Sequence, residues 1–168
     1  MYYDRLPEVP IDWTIANVIS RWIDGIGYRY ANATNGLPDD LADYRVTESA
    51  MSMIEVIKHC YDLIYWVGVN FDSSLRYNKQ LSSISDYRDS TLSLCHHIRT
   101  YISGLSDEEL RWVTLYLKRT DTYFPIWYFF NGPMADVLTH IGQINSWRRA
   151  AGHPCAPISP LSGERFGR

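Results

Sequence analysis

Asn131-Gly132-Pro133-Met134-Ala135-Asp136-Val137-Leu138-Thr139-His140-Ile141-Gly142-Gln143-Ile144-Asn145-Ser146-Trp147-Arg148-Arg149-Ala150-Ala151-Gly152 carries the clearest helical signal in the chain. Asn131 and Pro133 form a helix start signal, with Asn as the cap and Pro in the first turn. Gly152 is a stop signal, and Arg148 and Arg149 in the last turn suit the helix macrodipole. The spacing predicts a helix over Pro133–Ala151. Met134, Val137, Leu138, Ile141 and Ile144 are apolar and must face neighbouring elements. Asp136, His140, Gln143 and Trp147 fall at i, i+4, i+7 and i+11, so they draw one polar line along the same helix. An Asp and a His one turn apart can converge on a metal ion, as two His do on a zinc helix. An ordinary Asp–His pair on a solvated face has the same spacing.

The segment before this helix changes period. Val113, Leu115 and Leu117 alternate with Trp112, Thr114 and Tyr116, which predicts a strand within Arg111–Lys118. Asp121–Pro125 interrupts it, and Ile126–Phe130 reads as a second strand or a turn into the last helix. Ser106-Asp107-Glu108-Glu109 has the form of a capping box, so one short helical turn is expected there. A third helix fits Asp86–Ser103, capped by Ser85 and stopped by Gly104. Its inner face is Leu94, Ile98, Tyr101 and Leu105. Asn70–Ser85 is polar and turn-rich, a long connection. A second helix is expected from Leu41 to Val69, with two adjacent stripes. One is Ala50, Met53, Ile54, Ile57, Tyr61 and Ile64; the other is Val56, His59, Leu63 and Trp66. A first helix follows Pro10, on Ile15, Ile19, Trp22, Ile23, Ile26 and Tyr30, with Asp12 as its cap. Residues 153–168, with Pro154, Pro157 and Pro160, read as an irregular tail. The sum is an all-α, up-down four-helix bundle in a single domain, 1–168, with a short β excursion before the last helix.

His59 lies on an apolar stripe of the second helix. Two His and one carboxylate buried on two helices of a bundle make a coherent set, because a buried carboxylate without a cation carries a large desolvation cost. A divalent metal would remove that cost. Asp62 and Glu55, three residues after His59 and four before, could orient its imidazole or add a ligand, or be solvated. His97 is an alternative ligand; His96 points elsewhere on the same helix, and His153 is expected to be exposed. Cys60 and Cys95 read as small core residues, and Cys155 as an exposed tail residue.

The last-helix motif resembles the DinB/YfiT-like superfamily. The likeness is carried by Phe124-Pro125-Ile126-Trp127, by Asn131 through Gln143 and by Ser146-Trp147-Arg148-Arg149-Ala150-Ala151-Gly152-His153-Pro154, and it is nearest to the DinB-like branch common in Bacteroidetes. It covers roughly the last 45 residues, and the helix order extends it loosely to the whole chain. The resemblance implies a four-helix bundle, usually a homodimer, holding a metal through a His of the second helix and two residues at i and i+4 of the last. Carried over, these are His59, Asp136 and His140, with Asp136 where the family often has His. Ile141 stands where the family often has Arg, so any role of that Arg is absent. Gln143, in the Gly-Gln pair after the last ligand, is a candidate to support the site from behind it, as is Asp62. Two His and one Asp suit Zn²⁺, Ni²⁺, Fe²⁺ or Mn²⁺. The activity implied is a metal-dependent transferase or hydrolase acting on a small molecule, through a low-molecular-weight thiol or water.

Composition bounds these readings. The formal charge is −3 and the pI about 5.9, so no global positive field collects nucleic acid. The longest aromatic-apolar run, Tyr123–Phe130, falls far short of the roughly 20 residues of a membrane-spanning helix. The N-terminal Met1-Tyr2-Tyr3-Asp4-Arg5 lacks a secretion layout, and three cysteines with no CxxC suit a reducing, cytoplasmic setting. The 13 Tyr and 6 Trp also fit a different class: a non-catalytic dimeric bundle that binds a partner or a small apolar ligand, with His59, Asp136 and His140 as a structural polar network.

Overall fold

The computed structural model describes residues 2–159 and 161–164. It is mostly helical, with one small sheet. Helix α1 spans Ile15–Thr34. Its cap is Thr14, whose hydroxyl accepts from the Asn17 amide. Asp12 is not the cap. Only its carbonyl takes part, accepting from the Asn17 side chain. Helix α2 spans Met53–Phe71 and begins twelve residues later than the apolar pattern suggests. Ser52 and Glu55 close a full capping box there, and Ala42 and Tyr44 upstream accept the first α2 amides from a looped segment. A strong cap overrides a loosely periodic approach.

Helix α3 spans Ile84–Ser103, capped by Ser83 with Asp86 rather than by Ser85. The Ser106–Glu109 box opens the short helix α4, Asp107–Arg111, as its sequence form predicts. Strands β1, Thr114–Leu117, and β2, Thr122–Pro125, form an antiparallel hairpin with Leu115 opposite Phe124. The second strand therefore lies in the segment that reads as an interruption. Asp121, at φ 50°, makes the turn that lets Thr122 fold back. A π-helical turn at Phe130–Met134 leads into helix α5, Ala135–Ala150. Asn131 does not cap α5. Gly132 leaves helical geometry and kinks the chain, and no side chain caps the helix start.

The four long helices pack in a ring. Helix α1 lies against α3 and α5, and α2 lies against α3 and α5. Among the described residues the diagonals, α1 with α2 and α3 with α5, make no comparable contact. The contacts also give direction. Tyr61 meets Tyr87 at 5.8 Å between ring centres, and further along Gly68 faces the Ile98 side chain, so α2 and α3 run parallel. Trp22 meets Phe130 while Arg148 reaches Ala33 and Asn35, so α1 and α5 are also parallel. Phe71 meets Phe129 and His59 meets His140, so α2 and α5 are antiparallel. A plain up-and-down alternation would put α2 and α3 antiparallel, and these contacts correct it.

Connection length is the physical reason. A helix of 19 residues is about 28 Å long, and the 12 residues of 72–83 reach about 40 Å when extended. They can therefore return the chain to the start of α2. They run back along it: the Tyr77 hydroxyl donates to Asp62 at 2.7 Å, and the Asn78 amide donates to the Tyr61 hydroxyl at 3.1 Å.

The core is the ring's interior, with Ile19, Ile23, Tyr30, Ile57, Cys60, Ile64, Leu92, Cys95, Val137 and Ile144 buried. The hairpin is tied to α2. The Trp66 indole donates to the Tyr116 carbonyl at 2.9 Å, and Asn70 accepts from the Tyr116 amide at 2.7 Å. Of the expected tail, residues 160 and 165–168 lie outside the described residues. The rest is irregular and packs on the bundle: Asn32 donates to the Ala156 carbonyl and Tyr28 to that of Gly163.

Candidate metal centre

Helices α2 and α5 are antiparallel neighbours, so a residue midway along α2 faces one near the start of α5. His59 and Asp136 meet in this way, and one further turn brings in His140. The His59 Nε2 lies 3.6 Å from Asp136 Oδ2, and the His140 Nε2 lies 3.3 Å from Asp136 Oδ1. The two imidazoles stand edge to face, with ring centres 4.7 Å apart. One donor atom from each residue lies within 4.8 Å of the others. Donors about 2.0–2.2 Å from a single tetrahedral ion stand about 3.3–3.6 Å from each other. The two imidazole nitrogens reach one carboxylate oxygen each at near that spacing, Oδ2 for His59 and Oδ1 for His140, and two nitrogens with a carboxylate are the donor types that hold divalent transition metals. The three residues fit a metal ion, and Cys, His, Asp and Glu side chains elsewhere among the described residues form no comparable group.

The environment differs from the buried one that the apolar stripe suggests. The His140 side chain is 14% exposed, but that of His59 is 38% and that of Asp136 is 48%. The cluster therefore sits at the surface where α2 meets α5, with His140 toward the interior and His59 and Asp136 toward solvent. The desolvation argument for a cation does not hold for Asp136, because water reaches that carboxylate. What remains is the convergence of the three heads. If the three residues held an ion, its remaining coordination positions would face solvent, the arrangement of catalytic rather than structural sites.

Of the two supporting residues expected from the sequence, one is in place. The Gln143 Oε1 accepts from His140 Nδ1 at 2.6 Å. Asp62 is not. Its carboxylate is held by Lys58 at 2.5 Å and Tyr77 at 2.7 Å, on the flank of α2 turned toward the returning strap. Glu55 is committed to the Ser52 cap and to Arg45. His97 is not part of the group: it pairs with Asp72 at the end of α2 at 2.8 Å and lies against Tyr101. His96 stacks on Tyr2 at 4.2 Å. His153 is exposed, as expected. Cys60 and Cys95 are core residues with free thiols, and burial pushes the Cys95 thiol up to about 12. Cys155 is half-buried, its thiol on Asn145 at 3.0 Å, rather than exposed.

Two polar groups escape a reading by motif. Asp24 is buried on α1, with Tyr3 at 3.3 Å and Arg99 at 3.5 Å, and burial raises its carboxyl against the pull of Arg99. Its signal in the sequence is a charge placed among Ile19, Ile23 and Ile26. Arg148 is buried and donates to the carbonyls of Ala33, Asn35 and His153, each at 2.8 Å. It caps the C-terminus of α1 rather than only easing the dipole of its own helix. The parallel run of α1 and α5 makes this possible, and no spacing within α5 encodes it.

No helix among the described residues is long and apolar enough to cross a membrane. No protein-family profile matches the chain, and no curated protein matches it.

Proposed function

We propose that the chain is a metal-dependent enzyme of the DinB/YfiT type, a four-helix bundle that holds one divalent transition metal on His59, Asp136 and His140. The observation that supports this reading is the meeting of three side chains, 77 or more residues apart between α2 and α5, at spacings that suit one ion. Zn²⁺ or Ni²⁺ suits the donor set, and Fe²⁺ or Mn²⁺ is compatible with it. When bound, such an ion supplies acidity to a water molecule or to a thiol. The chain's own residues do the rest. His140 anchors the inner side of the site, and Asp136 and His59 leave the outer side open. A small molecule, with a low-molecular-weight thiol or water as the nucleophile, approaches from that side. Thiol transfer and hydrolysis are the two reaction classes, in the reducing cytoplasm that suits three free cysteines.

The test is elemental. Untagged protein carries about one transition-metal equivalent per chain, and His140→Ala loses it while keeping its helical spectrum. Metal-free protein that takes up neither Zn²⁺ nor Ni²⁺ defeats the proposal. A screen with several small thiols then distinguishes transfer from hydrolysis.

A second reading is favoured by the surface. Trp13 is 94% exposed and Trp127 is 75% exposed, and between them α1, α4 and the turn before α5 enclose a cleft of about 500 Å³ lined by Val18, Leu110, Ile126 and Phe130. A non-catalytic dimeric bundle that binds a partner or a small apolar ligand would use this face, with the His/Asp group as a polar network. The metal content decides between the two. We also propose a homodimer, since Ile15, Val18 and Trp22 leave an apolar stripe of α1 open to solvent.

A further inference from the structure

The hydrogen bond behind His140 carries more than support. A neutral imidazole has one N–H and one lone pair, and whichever nitrogen donates leaves the other as the ligand. Gln143 presents its carbonyl oxygen to Nδ1 at 2.6 Å, so Nδ1 holds the proton. In the neutral ring Nε2 is then the lone-pair nitrogen, and it faces the Asp136 carboxylate at 3.3 Å; a doubly protonated ring would donate to both Gln143 and Asp136. A lone pair pointed at a carboxylate oxygen is repulsive unless a cation or a proton lies between them. Both residues sit on α5 three positions apart, on the same rigid element, so this geometry is set by the helix and not by a loop. His59, by contrast, meets Asp136 and the His140 ring.

We infer that Gln143 is a positioning residue: it holds His140 in the Nδ1–H tautomer and so presents Nε2 to a divalent cation shared with Asp136 and His59. The inference rests on the metal reading above, but its first readout does not require metal. Nitrogen chemical shifts of the His140 ring in metal-free protein, recorded above the usual imidazole titration range, report which nitrogen carries the proton. Wild type shows Nδ1–H. Gln143→Leu, which keeps the helix and removes the acceptor, shifts the population toward Nε2–H. Gln143→Glu, which keeps an acceptor at the same reach, retains Nδ1–H. The second readout is Zn²⁺ affinity by competition with a chelator: Gln143→Leu weakens it about 10–100-fold, and Gln143→Glu restores it.

A tautomer that is unchanged in Gln143→Leu overturns the inference, whatever happens to zinc. So does a tautomer that switches while zinc affinity holds. If the wild type takes up no Zn²⁺ while the tautomer follows residue 143, the metal reading falls and with it the ligand role assigned to Nε2; the hydrogen bond alone survives. Gln143→Glu guards against misreading a folding defect, because it leaves the packing volume nearly unchanged.

Discussion

Asp72 shows how one carboxylate can be tied down at a helix end. It accepts from the Ser74 amide at 2.9 Å and from His97 at 2.8 Å, and these bonds, those of Ser74 first, hold its carboxyl down at about 2. The folded value lies below the unfolded one of about 4, so the stability it confers is present above about pH 4 and is lost as pH falls toward 2. Asp72→Asn therefore gives a shallower fall in urea midpoint across that window than wild type, though not a flat one, because Asp86 and Glu109 are also lowered at their caps. An unchanged slope would contradict this account. At the same scale, helical spacing alone aligns Asp136, His140 and Gln143, whereas His59 is reached from the sequence only through its position on the second helix and the family resemblance. The role of Asp62 is not legible. Its partner Tyr77 arrives from a connection whose path no local pattern specifies.

Capping decides the elements more sharply than apolar periodicity does. Ser52 and Glu55, Ser83 and Asp86, and Ser106 and Glu109 each close a reciprocal pair at a helix start. Only the last is anticipated from the sequence, because its four residues stand alone between turns. At α2 the apolar pattern runs on upstream and hides the cap. The buried Ser52 is the one whose loss should be felt. Ser52→Ala is expected to cost about 1 kcal/mol, read as a lower urea midpoint with an unchanged slope. A change within the error of the fit would show that Glu55 and the loop hold the helix start without it. The start of α5 makes the opposite case. Asn131 and Pro133 read as a cap and first turn, but Gly132 kinks the chain through a π-helical turn, and so sets the direction from which Asp136 and His140 enter the site.

For the whole molecule, the open face of α1 is the feature with a consequence. Ile15, Val18 and Trp22 are each close to half exposed along one stripe, beside the exposed Trp13. If this stripe holds two copies together, Val18→Glu gives a monomer by sedimentation, with an unchanged helical spectrum and unchanged metal content. A wild-type monomer at all concentrations tested, or a Val18→Glu dimer, would remove the stripe from that role. Residue order alone suffices for the mostly helical character, the short β interruption and the side chains that could bind a cation. Those properties follow from local periodicity, turn residues and charge, which act within a few positions. That α2 and α3 run parallel, that Arg148 caps α1, and that the His/Asp group lies at the solvent-exposed surface instead of in the core emerge only from the packed molecule. Each of these depends on how long connections return across the ring and on which faces then meet, and such contacts join residues that no local pattern relates.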